Sequence, residues 1–243
     1  MNLQRPTVVF VHGAFAESAS WSGVAERLRV HPIDVVAVAN PLRSVAGDAA
    51  YLRDVLAGIS GPVVLVGHSY GGMVITEAAS GGGDKVAALV YVCAFAPEQG
   101  ESALALSTRF PGSTLGEALT AYPVSSGGNE FTIRSDVFHQ QFAADVPQTQ
   151  AAVMSATQRP VTEIALSTGL PTETPAWQSI PSWFAFSDGD RNIPVALHRF
   201  MAERAGAEAI REVPGASHAL SVSQPDAVAA SILDAVYATV SAR

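Results

Sequence analysis

The chain has 243 residues, a formal net charge of −8 and 48% hydrophobic residues, and only 15% of its residues are charged. This length and balance are typical of one compact α/β domain that carries an insertion. The negative charge and the lack of a basic cluster argue against nucleic acid or an anionic membrane as a partner. No charged leader with a long apolar stretch opens the chain, and no apolar run approaches the roughly 18 to 20 residues that span a bilayer, so we expect a cytoplasmic protein. The one cysteine, Cys93, cannot form an internal disulfide and is expected to be an inert core residue.

Short apolar runs alternate with amphipathic helical segments along most of the chain. The predicted strands are continuous apolar runs, as is typical of parallel strands buried on both faces, at residues 7–11, 35–39, 63–66, 88–93, 183–187 and 210–213. Stripes such as Trp21, Val24 and Leu28 have the spacing of helices, and Asp48 is placed to cap the second helix. Gly81-Gly82-Gly83 predicts a flexible turn. The rhythm predicts a doubly wound, mostly parallel β-sheet, whose ligands bind at the carboxyl ends of its strands.

This rhythm breaks between residues 97 and 181. The stretch is rich in Pro, Gly and Thr and has several short helical patterns, but it lacks the apolar run of a buried strand. An insertion of this size between two strands predicts a helical cap over the strand ends. We therefore expect residues 1–96 and 182–243 to form the α/β core and residues 97–181 to form the cap.

The third apolar run stops abruptly in Gly67-His68-Ser69-Tyr70-Gly71, and an apolar helical segment follows it. A strand that turns sharply into a helix around a serine holds that residue in a strained conformation, with its hydroxyl above the end of the sheet. A Cβ at either flanking glycine is expected to collide with a neighbouring element. The pattern predicts that Ser69 is a nucleophile, and a glycine-rich turn that merely contains a serine is the alternative.

A serine hydroxyl needs an adjacent base at neutral pH, and the base needs an orienting carboxylate. Of the six histidines, His218 follows the last predicted strand and precedes the final helix, so it is the candidate general base. The other five have different expected environments: loop ordering for His12, packing below the serine turn for His68, solvent for His31 and His198, and an open role for His139.

Two carboxylates compete for the third role, because the fifth predicted strand is followed by Asp-Gly-Asp-Arg-Asn-Ile-Pro at residues 188–194. Asp190 precedes the Ile-Pro pair with a spacing that lets the loop turn back toward His218, so it is the preferred acid. Asp188 is expected to hydrogen-bond within the turn. The order nucleophile, acid, base is the one expected for this fold.

An oxyanion hole completes the predicted site. His12-Gly13-Ala14-Phe15 follows the first strand, so the backbone N–H of Ala14 can point toward Ser69. The N–H of Tyr70, at the start of the helix after the nucleophile, supplies the second donor together with a favourable dipole end.

These motifs occur in the order and setting of the α/β-hydrolase fold, and the chain resembles that family from end to end. It is most similar to the small capped branch with plant methyl-ester esterases, hydroxynitrile lyases and many bacterial esterases, since Ala-Phe-Ala-Pro follows the fourth strand at residues 94–97 and no hairpin precedes the first strand. The resemblance implies a triad of Ser69, Asp190 and His218 between core and cap, with oxyanion N–H groups from Ala14 and Tyr70 and without a cofactor or metal.

Departures from the branch narrow the chemistry. Hydroxynitrile lyases carry threonine in place of Gly13 and lysine in place of Ala219. Without the positive charge of that lysine the leaving cyanide has no stabiliser, so lyase chemistry is disfavoured. Epoxide hydrolases and haloalkane dehalogenases need aspartate in place of Ser69. The leading hypothesis is therefore a serine esterase that acts on a small, uncharged carboxylic ester through an acyl-enzyme.

Other activities stay open at this point. The same triad serves perhydrolases (cofactor-free haloperoxidases), lactonases, amidases and C–C bond hydrolases, and a ligand-binding receptor with vestigial hydrolase activity is the alternative from another class. The expected partner is a small-molecule ester, and homo-oligomerisation is left open. Large apolar side chains of the predicted cap that could line a pocket are Phe110, Phe131, Phe138, Phe142, Met154 and Trp177.

Overall fold

The computed structural model describes residues 5–81, 85–125 and 127–240, so the turn predicted at Gly82 and Gly83 lies outside the described residues. The first part of the chain alternates strands with helices, and a short 3-10 helix, Ser18–Trp21, precedes the first α-helix. In chain order the elements are β1 (Thr7–Val11), α1 (Ser22–Leu28), β2 (Asp34–Val38), α2 (Val45–Ala57), β3 (Val63–His68), α3 (Gly71–Ala79) and β4 (Val86–Val92).

The segment that follows β4 contains short helices and three strands: α4 (Ala103–Ser107), α5 (Leu115–Ala118), β5 (Leu119–Pro123), β6 (Asn129–Ile133), α6 (Ser135–Phe142), α7 (Gln148–Thr157), β7 (Val161–Thr162), α8 (Glu163–Ser167) and a 3-10 turn at Ala176–Gln178. The three strands form an antiparallel sheet in the order β5-β6-β7. The sequence did not predict them, because they are short and β5 is largely exposed, which leaves no continuous apolar run. The predicted division into core and cap stays a prediction.

The last part of the chain returns to the alternating pattern with β8 (Ser182–Ser187), α9 (Val195–Arg204), β9 (Ala209–Val213), α10 (Leu220–Ser223) and α11 (Pro225–Val240). Six strands pair in parallel in the order β2-β1-β3-β4-β8-β9. All six are the predicted strands, with ends shifted by no more than two residues, and the predicted α/β class is confirmed.

Burial differs between the centre and the edges of this sheet. Strands β1, β3, β4 and β8 are completely buried. Strands β2 and β9 lie at the two edges and are partly exposed, so the expectation of burial on both faces is wrong for them. An edge strand has a neighbour on one side only, and its outer residues face solvent.

Helices cover both faces of the sheet, and α1 packs against α11 while α2 packs against α3. The capping expected of Asp48 is wrong, since the side chain of Ser44 accepts the hydrogen bond from Gly47 at the start of α2. Asp48 is buried instead, and its carboxylate accepts hydrogen bonds from the Tyr70 hydroxyl at 2.9 Å and from the N–H of Arg43. No helix in the described part of the chain combines the length and apolar character needed to cross a membrane.

The parallel register brings the carboxyl ends of the central strands to one edge. His68, the last residue of β3, pairs with Val92 on β4, and Val92 pairs with Ala185 on β8. The N–H of Ser69 donates to the carbonyl of Val92 at 3.3 Å, and that of Cys93 donates to Ala185 at 2.8 Å. The loops after β3, β4 and β8 therefore meet at the edge where the predicted nucleophile and acid lie.

Candidate active site

Ser69 lies in the tight turn between β3 and α3 with a φ of 53°, which is the left-handed region that side chains rarely adopt. Close backbone approach explains the surrounding glycines. A Cβ on Gly67 would lie 2.7 Å from the carbonyl oxygen of Gly71, and one on Gly71 would lie 2.3 Å from a carbonyl oxygen of β1. Gly72, which the motif does not require, is tighter still, with 2.1 Å to the carbonyl oxygen of Phe95.

The two predicted oxyanion donors lie beside this serine. Ala14 and Tyr70 line the same cavity as Ser69, and that cavity has a volume of about 470 Å³. Neither backbone N–H donates to an acceptor in the described part of the chain. Tyr70 directly precedes the first residue of α3, where the helix dipole favours negative charge. Both amides therefore lack a competing acceptor among the described residues.

His218 and Asp190 form a buried hydrogen-bonded pair, with 2.7 Å between Nδ1 and Oδ2. The other carboxylate oxygen accepts the N–H groups of Asn192 at 2.8 Å and Ile193 at 3.0 Å. Burial alone would raise the pKa of Asp190, but the nearby imidazoles and the hydrogen bonds they donate hold it well below its usual range. The competing Asp188 accepts the N–H of Gly215 at 2.6 Å instead.

The pairing fixes the tautomer of His218. Because the carboxylate of Asp190 accepts, Nδ1 carries the proton and Nε2 presents a lone pair. Nε2 has no hydrogen-bond partner among the described residues, and no hydrogen bond joins it to the Ser69 hydroxyl. Catalytic hydrogen bonds commonly tighten only when substrate binds. The structure thus joins the predicted acid and base directly and leaves the basic nitrogen free.

Two histidines of the motifs have the structural roles expected of them. The Nε2 of His12 accepts the N–H of Asn40 at 3.1 Å, and its Nδ1 donates to the carbonyl of Gly13 at 2.9 Å. His68 is buried below the turn and donates from Nε2 to the carbonyl of His218 at 3.0 Å. Burial lowers the pKa of His12 to about 4 and that of His68 to about 3, so both rings are neutral at pH 7.

His198 contradicts the sequence expectation, because it is buried and not solvated. Its Nε2 lies 3.1 Å from Oδ2 of Asp190, and its ring stacks on Phe186 with 5.1 Å between centroids. The signal that could have found it is the apolar stripe of α9, since Leu197 and Met201 are buried beside it. The unassigned His139 donates from Nε2 to the carbonyl of Val146 at 2.8 Å.

The cavity beside Ser69 has a mostly apolar lining, to which the chain from Ala103 to Leu119 contributes most. Of this segment, the sequence pointed only to Phe110 as a side chain that could line a pocket. Of the six side chains that could line a pocket, each of which was expected to be ordinary core of the cap, Phe110 lines this cavity, Met154 lines a second cavity of about 250 Å³, and the others line neither. The remaining four pack in or against the core: Phe131, Phe138, Phe142 and Trp177.

Two backbone hydrogen bonds tie the loops of this site to the segment between β4 and β8. The N–H of Phe15, next to the predicted oxyanion donor Ala14, donates to the carbonyl of Arg159 at 3.1 Å. The N–H of Ala219, next to the predicted base His218, donates to the carbonyl of Phe142 at 3.0 Å. Both loops are thereby positioned by that segment as well as by the sheet.

One group of side chains with metal-ligand chemistry converges within the described residues, namely Cys93, Asp190 and His218, whose ligand atoms lie within 4.8 Å of one another. The carboxylate and the imidazole already face each other in a hydrogen bond. Burial raises the pKa of the Cys93 thiol, which keeps it protonated, whereas metals bind the thiolate. The arrangement therefore favours a hydrogen-bonded acid–base pair rather than a metal site.

Known proteins resemble this chain over most or part of its length. The model of the family described as "Alpha/beta hydrolase family" matches residues 8–231. The alpha/beta hydrolase nvfD of Aspergillus novofumigatus is 30% identical over 252 residues, which cover 95% of this chain and 96% of that protein. The carbendazim hydrolyzing esterase of Nocardioides sp. (strain SG-4G) is 39% identical over 113 residues, 40% of this chain and 46% of that protein.

A plant relative has a solved structure. The polyneuridine aldehyde esterase of Rauvolfia serpentina is 25% identical over 193 residues, 75% of this chain and 73% of that protein. The crystal structure of polyneuridine aldehyde esterase matches with a TM-score of 0.80 at 22% identity, over 95% of this chain and 99% of that chain. At this identity the likeness shows the fold.

Proposed function

The chain belongs to the alpha/beta hydrolase family, and we propose that it is a serine esterase that cleaves a small, uncharged carboxylic ester through an acyl-enzyme on Ser69. The observation that carries the proposal is the buried 2.7 Å hydrogen bond between His218 and Asp190 at the sheet edge that also holds Ser69. It orients an imidazole whose Nε2 is free to accept a proton. Relatives named as esterases support the same class.

The proposed reaction has two halves that use the same residues. As Ser69 Oγ attacks the ester carbonyl, Nε2 of His218 accepts the hydroxyl proton, and the backbone N–H groups of Ala14 and Tyr70 stabilise the oxyanion. The imidazolium then donates its proton to the leaving alcohol, which leaves the acyl group on Ser69. In the second half His218 activates a water, which releases the acid, and Asp190 stabilises the imidazolium in both halves.

The cavity supports an uncharged substrate. Glu117 is the one side chain of the described lining that is charged at pH 7, and it is exposed; the protein's net charge is −8. A carboxylate-bearing ester would meet repulsion and find no cation in this lining. Its volume of about 470 Å³ suits a small organic ester.

Fluorophosphonate labelling and turnover of p-nitrophenyl esters from acetate to decanoate test the proposal. The wild type and a matched control, Ser231→Ala on α11, are expected to label and to turn over, whereas Ser69→Ala is expected to do neither. The proposal fails if Ser69→Ala still labels or if the wild type hydrolyses no ester of the series. Slow single-turnover labelling of the wild type would support the receptor alternative instead.

A further inference from the structure

One oxygen of Asp190 serves two buried imidazoles. Oδ2 accepts from Nδ1 of His218 at 2.7 Å and lies 3.1 Å from Nε2 of His198. The side chain of Asp190 is 0% exposed and each imidazole is 1% exposed. Since Oδ1 is occupied by the N–H groups of Asn192 and Ile193, each oxygen of the carboxylate accepts two hydrogen bonds. His198 is the one side chain besides the base that holds this carboxylate in the described part of the chain.

The proton of His198 is fixed by this contact. A carboxylate only accepts, so Nε2 of His198 donates, and the neutral ring keeps Nδ1 without a proton. That Nδ1 has no partner among the described residues. Burial lowers the pKa of His198 despite the neighbouring charge of Asp190, so the ring is neutral at pH 7.

Two further sets of contacts set the position of His198 relative to Asp190. Its N–H and that of Leu197 both donate to the carbonyl of Pro194, which closes the first turn of α9 directly after the loop that carries Asp190. The ring stacks on Phe186 of β8 at an interplanar angle of 9°. The donor is therefore held by helix and strand together.

Packing alone does not explain a histidine here. The neighbouring buried positions of α9 carry Leu197, Met201 and Ala202, and an apolar residue would fill this site without burying an unpartnered nitrogen. The contact that requires a nitrogen is the one to Asp190. The other titratable groups near His198 are His218 and, on β9, Glu212.

We propose that His198 is a positioning residue of the triad, whose Nε2–H fixes Oδ2 of Asp190 in the orientation that His218 uses. The inference rests on the proposed function, in which the Asp190–His218 pair activates Ser69. His198 does not line the substrate cavity, so its donor acts on the chemical step and not on substrate binding. Loss of the donor lowers kcat and leaves KM unchanged.

The test compares a variant whose side chain is a ring without a donor with a variant whose side chain carries an N–H donor. His198→Phe keeps a ring over Phe186 and removes the donor, and His198→Gln restores an N–H donor of similar reach. Tyr91→Phe is the matched control. Tyr91 is also buried, and its ring stacks on Phe184 of β8, the strand that carries Phe186, with 4.7 Å between centroids. The substitution removes a hydroxyl that hydrogen-bonds the hydroxyl of Thr76 at 2.8 Å. All are measured as kcat and KM per active site titrated with fluorophosphonate, alongside Tm.

We expect kcat of His198→Phe to fall about tenfold or more with KM unchanged, as is typical when the partner that orients a functional side chain is removed. His198→Gln recovers most of kcat, and Tyr91→Phe lowers Tm but not kcat. Wild-type kcat in His198→Phe, or equal losses in the Phe and Gln variants, would overturn the proposal. A wild type that neither labels nor turns over would refute the proposed function instead.

The tautomer is tested in the wild type, which keeps the proposal open to refutation if His198→Phe does not fold. Nitrogen-15 NMR of histidine-labelled protein, with His198→Gln for assignment, is expected to show a neutral ring protonated at Nε2. A ring protonated at Nδ1 has no proton to donate to Asp190 and would overturn the inference.

Discussion

Replacing Asp190 with asparagine exchanges a carboxylate that accepts four hydrogen bonds for an amide that accepts on one side and donates on the other. The amide oxygen stays with the N–H groups of Asn192 and Ile193, because a turned amide would face them with its own NH₂. The NH₂ group therefore faces His218 and His198. Nδ1 of His218 must then accept, its proton moves to Nε2, and no lone pair remains for the Ser69 proton.

The expected loss follows from this change of tautomer. In other serine triads the same substitution lowers kcat by about 10⁴-fold, or about 5.5 kcal/mol of transition-state stabilisation. We expect a loss of this order for Asp190→Asn, since the side chain of Asp190 is completely buried. The assay is hydrolysis of p-nitrophenyl acetate, with enzyme concentration from absorbance and folding checked by circular dichroism.

Asp188→Asn is the matched control, because it lies two residues away and bonds only the N–H of Gly215 in the described part of the chain. Its kcat is expected to stay within about threefold of wild type, as for other substitutions away from the reacting groups. The assignment is refuted if Asp188→Asn is the more damaging change, or if folded Asp190→Asn keeps more than a tenth of the wild-type kcat.

Three further predictions concern stability and specificity. The folded pKa values of about 4 for His12 and about 3 for His68 lie below the ordinary 6.5, so the unfolded chain binds more protons below pH 6.5. The contribution of these two neutral histidines to the free energy of unfolding is complete above that pH. It is lost as the pH falls, by up to about 2 kcal/mol for each histidine between pH 6.5 and 5, which urea unfolding measures. Gly72→Ala places a Cβ 2.1 Å from a backbone oxygen and is expected to cost about 3 kcal/mol in the same assay. Leu166→Trp narrows the cavity that Leu166 lines and is expected to lower kcat/KM for the decanoate ester about tenfold more than for the acetate.

Each of these has an outcome that would count against it. Stability that is constant or rises between pH 6.5 and 5 contradicts neutral, buried histidines. Gly116→Ala, where a Cβ meets open space, should unfold like the wild type, and equal effects at Gly72 and Gly116 would show that steric collision is not the cause. An equal loss of kcat/KM for both esters in Leu166→Trp would show that this cavity does not recognise the acyl chain.

The features that sequence predicted are those with a local signal. Strands such as β1 and β3 are buried on both faces, so their residues form continuous apolar runs. The glycines of the Gly67–Gly71 motif are required by close backbone contacts around one turn. The strand ends carry Asp190 and His218, and parallel pairing requires those ends to meet. Position along the chain was therefore enough to bring these two residues together.

The features that sequence missed depend on contacts between distant or weakly patterned segments. The sequence around His198 predicts a polar residue at a helix edge. Its burial depends on the contact that its side chain makes with the carboxylate of Asp190 in the folded protein. Strands β5 to β7 carry no apolar run, because they form a small and partly exposed sheet. The lining from Ala103 to Leu119 is set by where this segment lies over Ser69, which no periodicity encodes.

The hydrogen bonds from Phe15 to Arg159 and from Ala219 to Phe142 have a consequence for how such proteins diversify. An exchangeable specificity module would contact the loops of the proposed site only through its substrate, whereas here the loops that carry the proposed oxyanion donor and the proposed base are each hydrogen-bonded to the segment between β4 and β8. Grafting that segment from a relative to change substrate preference would therefore alter turnover together with affinity. Substitutions that retune the cavity need compensating changes at these two anchors, which couples the evolution of selectivity to that of rate.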